Sequence, residues 1–92
     1  MVSRVVSISN PLGMHARAAA RFVHAATGFR SQVRVSRGTQ TTDGKSIMGI
    51  LLLAAARGTA LTITTDGPDE REALDALCAL IETGLGEDPC SG

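Results

Sequence analysis

Asn10-Pro11-Leu12-Gly13-Met14-His15-Ala16-Arg17 decides how this 92-residue chain is read. Val5, Val6 and Ile8 come before it, in the manner of a strand. Asn10, Pro11 and Gly13 break that strand. From Ala16 onward the residues are good helix formers, with Phe22, Val23 and Ala26 at helical spacing. His15 therefore falls at or beside a helix N-cap. A helix start offers unpaired backbone N–H groups and a partial positive charge, which together suit phosphate. An imidazole at that point, with the Arg17 guanidinium two residues on, can carry a phosphoryl group: the histidine as nucleophile, the arginine and amides as holders of the transferred charge. The competing reading is an ordinary surface histidine, since His is not a preferred capping residue.

Working outward, residues 2–8 read as the first strand and 16–27 as a helix ended by Gly28 in the left-handed conformation. Arg17 and Arg21, four apart, share a face that flanks His15. His24 is rotated to the far side of the helix from His15, so the two cannot share a metal, and it reads as surface. Residues 31–36 alternate, Val33 and Val35 against Gln32, Arg34 and Ser36, as a half-buried strand does. Arg37-Gly38 turns the chain into a polar edge strand over 39–42. Ser46 is a good N-cap for a short helix that is apolar nearly all round, from Ile47 and Met48 through Ile50, Leu51, Leu52 and Leu53. So short a helix cannot bury every side. Part of Ile47, Met48 and Leu51 is expected to be exposed as a docking patch, the alternative being that all are core. Residues 61–64 alternate as a fourth strand. Asp69, Glu70 and Glu72 suit the positive end of a last helix, which carries a stripe of Leu74, Leu77, Cys78 and Ile81 and ends at Gly84.

The order β-α-β-β-α-β-α, with alternating strands, predicts an α+β fold. It is a two-layer open-faced sandwich, a four-stranded antiparallel sheet covered on one face by three helices. Residues 1–92 read as a single domain, with 86–92 as a flexible polar tail.

Hydrophobic residues make up 43%, which fits a folded chain rather than a disordered one. The longest apolar run, 50–56, is far short of the roughly 18 residues of a membrane span. The N-terminus lacks the apolar block of a signal peptide, so the expected location is the cytoplasm. Cys78 and Cys90 form neither a disulfide framework nor a metal motif. Net charge is zero, but residues 1–57 hold eight Lys/Arg against Asp43 alone, and residues 58–92 hold eight acids against Arg71 alone. A basic first half suggests an acidic or phosphorylated partner. Nucleic acid is the weaker reading, because the chain has no Trp or Tyr and its two Phe read as core.

Over Leu12-Gly13-Met14-His15-Ala16-Arg17-Ala18-Ala19-Ala20-Arg21-Phe22-Val23 the chain resembles the HPr family, the histidine-containing phosphocarriers of the bacterial phosphotransferase system. A second block, Gly44-Lys45-Ser46-Ile47-Met48-Gly49-Ile50, agrees, and the resemblance runs from Val2 to about Leu85. It implies that His15 accepts a phosphoryl group on Nδ1 from phosphorylated Enzyme I, itself charged by phosphoenolpyruvate. The group then passes to an acceptor protein of the EIIA type. Arg17 would neutralise it. Ala16, Ala20, Ile47, Met48 and Leu51 would form the partner-binding surface. Ser46 would be the target of a regulatory kinase (HPr kinase/phosphorylase), although capping alone explains a serine there. No cofactor or metal is implied, and a monomer is expected. Ala18 departs from the family's usual proline; alanine there restores an N–H without breaking the helix. Two alternatives stand beside the carrier: a non-transferring regulatory module switched by phosphorylation at Ser46, and a small-ligand regulatory domain of similar architecture.

Overall fold

The computed structural model describes residues 1–85, so the expected tail at 86–92, with Cys90, lies outside the described residues. Its elements are β1 (Val2–Ser7), α1 (Ala16–Thr27), β2 (Gln32–Arg37), β3 (Gln40–Asp43), α2 (Ile47–Leu52), β4 (Ala60–Asp66) and α3 (Glu70–Glu82). The four strands form an antiparallel sheet, as expected, with the polar β3 at an edge; their order is β1-β4-β2-β3.

Strand alternation separates the two faces of the sheet. Val6, Leu61, Ile63, Val33 and Val35 point inward and are buried. They pack with Phe22 of α1, Ile50 of α2, and Leu77, Cys78 and Ile81 of α3, all fully buried. Cys78 is thus the small core residue its helical pattern predicted, and burial pushes its thiol pKa up. The opposite face is open and hydroxylated. There Ser3 and Thr64 are 2.9 Å apart through their hydroxyls, and Ser36 and Thr41 3.0 Å. α1 packs between α2 and α3 on the covered face.

Boundaries moved where turns claimed residues. β3 begins at Gln40 rather than 39, because Gly38 (φ +59°) and Thr39 make a two-residue hairpin turn. Gly28 is not left-handed: its φ is −73°, and α1 ends by tightening, with Gly28 N donating to Ala25 O (3.2 Å) and Phe29 N to Ala26 O (3.2 Å). Gly84 does take the left-handed form, at φ +89°. Its N–H reaches Ile81 O (3.1 Å), the N–H of Leu85 reaches Leu80 O (2.8 Å), and the Leu85 side chain closes the core beneath.

Asp69 stands at the N-cap of α3, but its carboxylate serves another segment. It accepts from Arg30 N (2.9 Å), Ser31 N (2.9 Å) and the Ser31 hydroxyl (2.5 Å), tying the α1–β2 connection to α3. The Ser31 hydroxyl first, then the Arg30 amide, pull the carboxyl down to about 2.

Candidate functional site

The segment between β1 and α1 is fixed at both ends and in the middle. Ile8 N donates to Thr59 O (2.9 Å), and Gly58 N donates back to Ile8 O (2.8 Å). Ser9 Oγ reaches Ile81 O at the end of α3 (3.1 Å). A tight turn over 10–13 follows, closed by Gly13 N to Asn10 O (3.1 Å) and by the buried Asn10 Nδ2 to Gly13 O (2.7 Å). Pro11 presets the second position of that turn. Gly13 has φ +68°, and a Cβ on it would sit 2.6 Å from Ala55 O. Two backbones therefore pass here at a distance only glycine allows. Met14 N then donates to Ala55 O (2.8 Å), and the buried Met14 side chain anchors the turn in the core.

These contacts deliver His15 to the N-cap of α1, as the sequence indicated. Its backbone is extended (φ −80°, ψ 178°), and its carbonyl accepts the first helical bond from Ala19 N (2.8 Å). That bond leaves the N–H groups of Ala16, Arg17 and Ala18 ahead of the first intrahelical donor. The first turn holds no acid, so nothing on it offsets the positive end of the helix, and the exposed Arg17 adds to it. An imidazole and an exposed guanidinium thus stand at the N-cap and in the first turn of α1, with the helix-start amides. Arg21, expected to flank the same spot, has its guanidinium at Leu85 O (3.4 Å), at the end of α3. His24 is exposed, as expected.

Ser46 caps α2, its hydroxyl accepting from Gly49 N (3.1 Å). Of the expected docking residues, Ala16 and Ala20 are exposed, Ile47 is 44% exposed and Met48 66%. Leu51 is half-buried and packed against the core. Leu12 (71%) and Leu52 (72%), like Met1 (78%) and Val5 (64%), are exposed apolar residues the sequence reading passed over. Leu52 stands four residues after Met48, on the same helix face, which spacing alone could have shown. Leu12 is an apolar residue at a turn tip between Pro11 and Gly13. Among the described residues no group of His, Cys, Asp or Glu is placed to hold a metal. Among the described residues no helix is long and apolar enough to cross a membrane.

The model of the PTS HPr component phosphorylation site matches residues 2–83. The chain belongs to the HPr family. The phosphocarrier protein HPr of Cupriavidus necator is 52% identical over 87 residues, covering 95% of this chain and 98% of its own length. That of Pseudomonas aeruginosa is 49% identical over 83 residues, covering 89% and 92%. The crystal structure of HPr-C-His from Thermoanaerobacter tengcongensis superposes with a TM-score of 0.91 at 41% identity, covering 96% of this chain and 99% of that one. The open-faced sandwich is the HPr fold, and the chain is an HPr phosphocarrier, a phosphoryl carrier in the relay of the phosphotransferase system. Membership implies Enzyme I and EIIA-type partners, and places this phosphocarrier among the cytoplasmic components of the system.

Proposed function

We propose that His15 is the residue that carries the phosphoryl group, with Arg17 as its charge partner. The position of His15 at the N-cap of α1 is the observation that carries this reading. The lone pair of a neutral imidazole nitrogen, taken as Nδ1, attacks phosphorus. The bond from phosphorus to the donor breaks, and its electron pair leaves with the donor. No proton need move in that step, because the second ring nitrogen keeps its own. The helix-start amides and the Arg17 guanidinium hold the oxygens as charge redistributes. Transfer to an EIIA-type acceptor runs the same chemistry in reverse.

Docking is assigned to Ala16 and Ala20 of α1 with Ile47, Met48 and Leu51 of α2. The two alanines let a partner approach the imidazole closely, and the exposed Ile47 and Met48 supply apolar area on α2, which packs against α1. Ser46 is proposed as the regulatory phosphorylation site, acted on by HPr kinase/phosphorylase. A dianion there favours the start of α2 and sets negative charge next to the docking residues, repelling an acidic partner. Residues 1–92 act as one domain and one monomeric carrier.

Intact mass after incubation with phosphoenolpyruvate and Enzyme I tests the central assignment. One acid-labile phosphoryl group on the wild type and none on a folded His15→Ala supports it. No phosphoryl group on the folded wild type, with the same Enzyme I active on another carrier, overturns it in favour of the regulatory module switched at Ser46.

A further inference from the structure

β3 is the margin of the sheet and pairs with β2. Arg37 and Gln40 face each other across the two-residue turn, where paired residues exchange both backbone bonds. Alternation then directs the N–H and C=O of Thr41 away from β2. Among the described residues, no hydrogen bond reaches either group. The strand, Gln40-Thr41-Thr42-Asp43, has neither the proline nor the lysine that commonly protects an edge.

A cavity lies on each side of this strand. One, of about 260 Å³, opens between β3 and α2 and is lined by Gln40, Thr41, Thr42, Gly49, Leu52 and Leu53. Gly49 is what lets α2 lie so close: a Cβ there would collide with Thr42 Oγ1. The other, of about 390 Å³, is lined by Gln32, Val33, Arg34, Thr41, Thr42, Asp43 and Lys45. Thr42 pairs with the buried Val35 and faces the helices, whereas Thr41 pairs with Ser36 on the open face. Thr41 and Thr42 line both cavities, and a strand laid along β3 would set its side chains alternately toward the helix face and the open face. The helix side, floored by buried Leu53 and walled by exposed Leu52, suits an apolar side chain. On the other side Arg34 and Lys45 outnumber Asp43, which suits an acidic one. Arg37 alternates with Val33 and Val35 and so stands on the helix side, its guanidinium donating to Leu53 O (2.7 Å).

We infer that β3 and α2 form a docking groove for an extended segment of a partner protein. In that segment apolar side chains alternate with acidic ones, and it adds to the sheet as a fifth strand. α2 contacts both α1 and β3, and Leu52, the outer wall of the groove, shares a helix face with Met48. Strand addition there is independent of whether His15 carries phosphate.

The test uses the whole chain, labelled with ¹⁵N, and an acetylated, amidated hexapeptide of alternating glutamate and leucine. Saturable amide shifts are expected over residues 40–43 and 49–53, with a dissociation constant below about 1 mM. The residue opposite Thr41 in the added strand is a glutamate. N-methylation of the glutamate nitrogens keeps every side chain but removes the backbone donors, and should weaken binding about tenfold. Thr41→Pro removes the edge N–H from the protein without touching the β2 ladder, and should do the same. Four results would each overturn the inference: no saturable shift; equal binding of the methylated peptide; shifts centred on Ala16 and Met48; or pairing of two copies of this chain through β3 without peptide. Phosphoryl transfer to His15, followed in the same samples, reports separately on the proposed function.

Discussion

Gly13→Ala is the most informative substitution in the turn that carries His15. Two effects add. An L-residue held in the left-handed region costs roughly 1–2 kcal/mol. The new methyl would also lie 2.6 Å from Ala55 O and 2.9 Å from Ala56 Cα, so the two backbones must part. Parting them stretches the bond from Met14 N to Ala55 O, now 2.8 Å, and losing it removes a further 0.5–1.5 kcal/mol or so. The stiffer unfolded chain returns about 0.4–1 kcal/mol. The net expectation is a loss of about 1–3 kcal/mol, a fall in Tm on the order of 5–20 °C for a domain of this size. Gly38→Ala is the control. Gly38 has a similar φ of +59° but nothing within 4 Å of its would-be Cβ, so it shows the left-handed penalty alone. Urea unfolding measures both. Because the displaced backbone leads directly into His15, Gly13→Ala should also slow phosphoryl transfer from Enzyme I by roughly 10–100-fold, while Gly38→Ala should not. If Gly13→Ala is no less stable than Gly38→Ala and transfers at the wild-type rate, the claim that this close approach positions the histidine is wrong.

Ala54 is a non-glycine residue at φ +52°, so Ala54→Gly should gain about 0.5–1 kcal/mol, read as a higher urea midpoint at unchanged slope. Asp69 has its pKa lowered to about 2 in the fold, so its contribution is full above the unfolded value of 3.8 and lost as pH falls toward 2. Asp69→Asn should lower Tm at pH 7 and flatten the dependence of Tm on pH between those values. Ala18 is buried in the first turn of α1, ahead of the first helical bond, and its N–H has no intrahelical acceptor. Ala18→Pro should therefore fold, with helix content by circular dichroism unchanged and a transfer rate within about tenfold of wild type. Met48 is 66% exposed, and Met48→Glu should raise the KM for Enzyme I several-fold with Tm unchanged; a matching fall in Tm would mean Met48 is a packing residue instead.

The sequence exposed the fold where periodicity and turn chemistry agreed. The alternation around Val33 and Val35, the stripe from Leu74 to Ile81 and the serine cap at Ser46 all form the expected elements. It failed where the deciding partner lay far along the chain. Nothing local to Gly28 tells that α1 will tighten at its end, and nothing local to Asp69 tells that its carboxylate will be claimed by Ser31. The same applies at the site. The position of His15 at a helix start was legible from Pro11, Gly13 and the alanines that follow. The contacts with Ala55, Thr59 and Ile81 that hold it there were not, because they join residues more than 40 positions apart. The short helix α2 was the hardest to read. Its residues are apolar at every position but Gly49, so the pattern carries no facing, and only packing shows Leu51 turned partly inward and Leu52 out.

The long-range fastening of the His15 turn has a consequence for synthesis on the ribosome. The histidine emerges early, but the backbone that shapes its surroundings is supplied by Ala55 and Thr59, and the end of α3 by Ile81. β1 likewise has its ladder only with β4 and must wait for residues 60–66. At about 5–20 residues per second, a nascent chain spends roughly 4–14 s with His15 translated and the rest of the fold still unmade. During that interval a twelve-residue α1 is marginal by itself, and the amides that would hold an anion have no fixed geometry. If His15 is the acceptor, as proposed, an unfinished or truncated chain therefore bears the acceptor residue without the geometry to act as one.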